Sequence, residues 1–233
     1  TPGYDPLTGQ GAPAPQLVVD IPIGALADEA PKYRRTETAP MREPLEPAPD
    51  LDIDANDALR ALIGSPNVGS RQWIFRQYDH IVRDGTVTKP GEADAAIVRA
   101  FCERDGEPTR VKFLALSVDG NGRHVLLDPE RGAAMVVAEC ARNVACTGAR
   151  PLALTDCLNF GNPEIPETMW RLSRAIDGLA AACVALDVPV VSGNVSLYNE
   201  TEGSPILPTP TVGVVGLLDD ASHALMSHFT GAL

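Results

Sequence analysis

The chain has 233 residues, 44% of them hydrophobic, which suffices for the core of one large domain or two small ones. Its net charge of −12 and pI near 4.7 exclude a basic nucleic-acid groove over most of the surface. They leave room for a phosphate ligand held by backbone N–H groups or through a metal ion.

Ten of the 21 prolines fall in the first 50 residues. Val19, Ile21 and Ile23 alternate as in a short strand, and TETAPMREPLEPAPD (36–50) reads as an extended linker. The compact part is expected to begin near Leu51. DALRALIG (57–64) predicts a short helix stopped by Gly64. Ser70 is placed to cap a second helix through RQWIFRQYDHIV, with Ile74, Tyr78, Ile81 and Val82 on one face. VKFLALSV (111–118) and HVLLD (124–128) read as two strands joined by the turn DGNGR. After Pro129 a long helix is expected, with Gly148 at its C-terminal stop.

PLALT (151–155) reads as a short buried strand. Pro166 suits a first helical position, and Met169, Leu172, Ile176, Leu179, Cys183 and Leu186 then recur at steps of three and four. VPVVS (188–192) predicts the next strand, a turn is expected at 202–204, and TVGVVGLL (211–218) is the last strand. Residues 151–192 thus form one strand–helix–strand unit, expected to be a right-handed crossover with the helix stripe covering the sheet. Parallel strands so joined end at one edge of a sheet, where ligands gather. The loops DCLNFGN and GNVS would follow those two strands and line a common cleft.

Taken singly, the residues of these loops have ordinary explanations. Asp156 suits a strand end, Asn159 and Asn162 suit loop bracing, and Gly193 suits a turn. Facing a second polar loop, Asp156 becomes a candidate for a ribose hydroxyl, a base nitrogen or a metal-bound water. Gly193 then permits close approach of a ligand. Asn194 offers a neutral oxygen suited to Mg²⁺, and Ser196 supplies a hydroxyl further along. Cys157 has no histidine near it in sequence and reads as a packed thiol. Asp119 in DGNGR is accounted for by the turn, and Arg142-Asn143 lie inside a helix.

Neither a GxxxxGK loop nor a GxGxxG fingerprint occurs. The five cysteines form no CxxC pair and read as free thiols of a reducing cytoplasm; the four histidines show no zinc-finger spacing. No signal peptide or membrane span is expected.

SPNVGSRQWIFRQYDHIV, DGNGR, GARPLALTDCLNFGNPEIPE, VPVVSGNVSLYNE and LPTPTVGVVGL together resemble the synthetase subunit of phosphoribosylformylglycinamidine synthase. The resemblance runs from about Asp57 to about Asp220. It implies an α+β domain, a two-layer mixed β-sheet with helices on one face, like the N-terminal domain of aminoimidazole ribonucleotide synthetase. It also implies a ligase of purine biosynthesis that amidates formylglycinamide ribonucleotide with ATP and glutamine-derived ammonia. The chain is similar to the N-terminal domain of the second of two homologous halves. Residues 1–50 would be the tail of the preceding domain and a linker, 51–220 the domain itself, and 221–233 the cut start of the next.

By that resemblance Asp156 and Gly193 match ATP-binding positions, Asn194 a Mg²⁺ ligand and Ser196 a substrate contact. The general-base histidine and a metal-binding Arg-Asp pair belong to the family's first half. The corresponding places here hold DGNGR and Arg142-Asn143, so no catalytic residue is expected in this chain, and alone it should be inactive. The implied partners are the first half of the same polypeptide, a glutaminase subunit or domain, a small third subunit and the ribonucleotide substrate. Neither nucleic acid nor membrane is implied, and the implied location is cytoplasmic. The alternative is a degenerate, non-catalytic nucleotide-binding or scaffolding module of the same superfamily.

Overall fold

A computed structural model describes residues 19–41, 47, 49–104 and 106–228. The chain divides into two units, Thr1–Arg34 and Arg35–Leu233. Parts of the expected linker and the last five residues lie outside the described residues. In the first unit Ile23–Leu26 form one helical turn, α1, and the expected strand at Val19–Ile23 is absent. Val19, Ile21 and Ile23 are all exposed, so their alternation has no sheet to serve.

The second unit opens with α2 (Ala55–Gly64), capped by the Asp54 carboxylate, which accepts from the N–H groups of Asn56 and Asp57. The helix expected after Ser70 is only one turn, α3 (Gln72–Phe75), although the Ser70 hydroxyl does accept from Gln72 N–H at 3.2 Å. It ends at Phe75, and the backbone beyond it is taken up by Asp79. That carboxylate accepts from Ile81 N–H at 2.9 Å, and Arg83 then turns to a φ of 53°. Side-chain competition for the backbone of this kind ends helices. Tyr78 and Val82 are left exposed.

The sheet begins with β1 (Ala96–Arg104), paired antiparallel with β2 (Glu107–Gly120). The segment expected as the second strand of a hairpin, 124–128, is instead a short helix, α4 (Gly122–Leu127). DGNGR is therefore a strand end followed by a helix cap: Asn121 Oδ1 accepts from His124 N–H at 3.2 Å. A short apolar run such as HVLL does not distinguish helix from strand by itself. Asp128 caps α5 (Pro129–Cys146), with Pro129 in its first turn and Gly148 past its end at a φ of 85°.

Next come β3 (Arg150–Asn159), α6 (Pro166–Leu186) and β4 (Val190–Ser196). A small hairpin, β5 (Glu200–Thr201) and β6 (Ser204–Pro205), leads to β7 (Thr209–Leu218). The main sheet has the order β1-β2-β7-β3-β4. β3 and β4 are parallel neighbours, and β7 is antiparallel to both β2 and β3. This is the expected two-layer mixed sheet with helices on one face.

β7 records the two faces by alternation. Pro210, Val212, Val214, Gly216 and Leu218 are buried, while the residues between them are partly open. A Cβ on Gly216 would strike the Val144 side chain, so the buried set faces α5. Val136, Val137, Cys140 and Val144 of α5 complete this core with Leu154 and Leu158 of β3. Each buried aliphatic side chain contributes about 1.5–3 kcal/mol. The α6 stripe is rotated from the expected one. Leu172, Ala175, Leu179 and Cys183 are buried, whereas Ile176 and Leu186 are exposed. α6 lies mainly along α5 rather than flat on the sheet, and at Gly178 the two backbones meet.

Candidate functional site at the β3–β4 edge

The β3–α6–β4 unit brings the two expected loops together, but as strands. β3 extends through Asn159 and β4 through Ser196, so Asp156 and Asn194 belong to the sheet itself. The register pairs Asp156 with Gly193, Cys157 with Asn194 and Asn159 with Ser196. Backbone pairing to a parallel neighbour therefore extends through residues whose composition alone reads as turn.

The pleat divides the candidates between the two faces. Asp156 and Gly193 lie on the helix side, in one cross-strand row with Val212 and Asp119. The Asp156 carboxylate extends over Gly193: a Cβ there would lie 2.5 Å from Oδ1. β4 is the last strand, so this carboxylate points toward the sheet edge. Burial raises its pKa above the ordinary aspartate value, and its charge in turn helps to raise that of the Cys183 thiol on α6.

Asn194 and Ser196 lie on the other, open face. Register builds a grid of three rows there: Gly213–Thr155–Ser192, Thr211–Cys157–Asn194 and Thr209–Asn159–Ser196. None of these positions carries an aliphatic or aromatic side chain. Ser192 Oγ and Thr155 Oγ1 are hydrogen-bonded at 2.8 Å. Asn194 is exposed. Further along the same face the surface turns apolar, with Leu116 and Val118 exposed on β2.

The asparagines of DCLNFGNPE brace the turn into α6. Asn159 Nδ2 donates to the carbonyls of Cys157 and Thr209, and Asn162 Oδ1 accepts from Glu164 N–H at 2.8 Å. Glu200 Oε1 accepts from Asn162 N–H. Asn199 Nδ2 donates to the carbonyls of Phe160 and Ser196, and Ser196 Oγ lies 3.1 Å from Asn199 Oδ1. Nothing local in the sequence marks this second bracing set, because Asn199 and Glu200 meet the turn only once β4 has paired with β3.

A polar cluster under α5 also goes beyond the sequence reading. Asn143 Nδ2 donates to both Asp119 oxygens at 3.3 and 3.1 Å, and Ser117 Oγ donates to Asp119 Oδ2. Asp119 therefore has a tertiary partner, whereas a hairpin turn would have left it none. The adjacent Cys140 thiol is pushed up to about 11, chiefly by burial. Arg142 projects away from this cluster and is exposed.

Among the described residues no group of three or more His, Cys, Asp or Glu side chains is placed to hold a metal. Asn194 offers an oxygen of the kind Mg²⁺ accepts, but it is neutral, and the carboxylate of the neighbouring register position, Asp156, is on the opposite face. The residues fit a minor share in a cation site whose other oxygens come from elsewhere.

Residues 92–218 match the family described as AIR synthase related protein, N-terminal domain. The chain belongs to this family. A curated relative, phosphoribosylformylglycinamidine synthase subunit PurL of Anaeromyxobacter sp. (strain Fw109-5), is 49% identical over 222 residues, which covers 93% of this chain and 29% of that protein. The chain thus spans less than a third of that relative. The structure of PurLQS from Thermotoga maritima superposes with a TM-score of 0.66 at 31% identity, covering 90% of this chain and 31% of that one. T. maritima PurL complexed with ATP gives 0.59 at 31% identity, covering 87% and 30%. No helix among the described residues is long and apolar enough to cross a membrane.

Proposed function

We propose that this chain is the part of a phosphoribosylformylglycinamidine synthase synthetase subunit that supplies one wall of its nucleotide site. Residues 51–220 are the N-terminal domain of the second half, 1–50 the tail and linker before it, and 221–233 the start of the following domain. The whole enzyme, in the cytoplasm, converts formylglycinamide ribonucleotide, ATP and glutamine-derived ammonia to formylglycinamidine ribonucleotide, ADP and phosphate. The observation that carries this reading is the Asp156–Gly193 pair at the sheet edge, in a chain 49% identical to a PurL subunit.

In this reading the Asp156 carboxylate and the Gly193 backbone beneath it bind ATP, Asn194 takes part in Mg²⁺ binding, and Ser196 contacts the ribonucleotide. The Mg²⁺ ion, when bound, offsets charge on the transferring phosphoryl group. This chain's residues bind and orient; proton transfer belongs to the first half, since DGNGR here holds no histidine where that half carries its base. The exposed apolar part of the open face, around Leu116 and Val118, is the surface that half covers. A glutaminase subunit or domain and a small third subunit complete the assembly.

A second reading, a non-catalytic nucleotide-binding module, draws support from the Asp119–Asn143 pairing, which occupies the Asp119 carboxylate within the domain. Asp156→Ala in the full-length subunit separates the two. Loss of a charged hydrogen bond costs about 1.5–3 kcal/mol, so the ATP constant should weaken about ten- to a hundredfold in turnover assays. An unchanged ATP constant would overturn the catalytic-site reading.

A further inference from the structure

Resting on that reading, we propose that the hydroxyl pair Thr155–Ser192 is a further positioning element of the site, one that receives a phosphoryl oxygen of the nucleotide or of the ribonucleotide substrate. The two oxygens are 2.8 Å apart, and both residues are exposed on the open face. Ser192 precedes Asn194 by two residues on β4, so the two point the same way, about 7 Å apart along the strand. Thr155 holds the equivalent place beside Cys157 on β3, across the register.

The pair is held in position by its surroundings. A Cβ at Gly213 would lie 3.2 Å from Thr155 Cγ2, so the threonine methyl packs toward the bare backbone of Gly213 on β7, and its hydroxyl faces Ser192. A β-branched side chain seated this way has little rotamer freedom left. When Ser192 donates to Thr155, the threonine O–H remains to donate to a ligand on the open face. The absence of a side chain at Gly213 keeps that approach clear.

The test uses the full-length subunit with Ser192→Ala, Thr155→Val and their double variant, assayed for kcat and for KM toward ATP and toward formylglycinamide ribonucleotide. One ligand's kcat/KM should fall about three- to tenfold, the size of one or two neutral hydrogen bonds. The ligand affected identifies the source of the phosphoryl oxygen. The double variant should cost no more than the worse single one, because the two hydroxyls act as a unit. Thr155→Ser should restore the loss, and thermal stability should be unchanged throughout. Values within about twofold of wild type for both ligands would overturn the proposal. Failure to recover with Thr155→Ser would do the same, since it would assign the effect to packing. Asp156→Ala run in parallel separates this failure from that of the site itself: if Asp156→Ala weakens ATP while the hydroxyl variants are silent, only the present inference falls.

Discussion

The Asp156 carboxylate occupies the space that a side chain at position 193 would need. A Cβ on Gly193 would lie 2.5 Å from Oδ1, 2.8 Å from Cγ and 3.0 Å from the Asp156 carbonyl oxygen. The glycine is required here by close approach, since its φ is not in the left-handed region. Asp156 and Gly193 therefore act as one unit at the sheet edge.

Gly193→Ala should accordingly reproduce most of the effect of losing Asp156. The carboxylate must swing off the edge strand, and ATP binding in the full-length subunit should weaken about tenfold. Isothermal titration with a non-hydrolysable ATP analogue measures this directly. Retention of wild-type affinity would mean that the carboxylate's place over Gly193 is irrelevant to the ligand.

Asp156 also links stability to pH. Burial raises its folded-state pKa, whereas in the unfolded chain an aspartate titrates at about 4. Between those values the folded state holds the proton longer. Stability is thus greatest below the unfolded value, declines as pH rises toward the folded one, and stays lower above it. Asp156→Asn should then be more stable than wild type at pH 7, with the difference vanishing near pH 3. The gain is limited because the carboxylate is only partly buried. Urea unfolding at the two pH values checks the sign, and a wild type more stable than Asp156→Asn at pH 7 would contradict it.

Gly178 sets the spacing of α5 and α6. An added Cβ would overlap the Glu130 carbonyl oxygen, which is backbone and cannot rotate away. In an open helix Gly→Ala gains about 1 kcal/mol, but overpacking between fixed backbones costs about 1–3 kcal/mol. Gly178→Ala should lower stability by about 1–2 kcal/mol, read as a fall in the urea midpoint at unchanged slope. A midpoint at or above wild type would show that the helices part freely there.

Local signals that act within a few residues were legible in the sequence. Pro129 and Pro166 open α5 and α6, Gly148 lies past the end of α5, and the β3–α6–β4 unit follows from strand and helix periods in order. The meeting of Asp156 with Gly193 follows from the same unit, because two parallel neighbours joined by one helix present the same ends. Signals that depend on distant partners were not legible. HVLL became a helix because β2 found its neighbour in β1, upstream, leaving 124–128 free to cap α5. The helix after Ser70 ended at Phe75, and beyond it the Asp79 side chain takes the Ile81 N–H that a continuing helix would have used. α6 turned a different stripe inward because α5, not the sheet, lies against it at Gly178. The division of the site by the pleat, with Asp156 on the helix side and Asn194 on the open face, was decided by register, and the sequence by itself does not specify register. A one-residue slip would exchange the two faces, and the packing of Leu154 and Leu158 under the helices, with Val212 and Val214 of β7, opposes it.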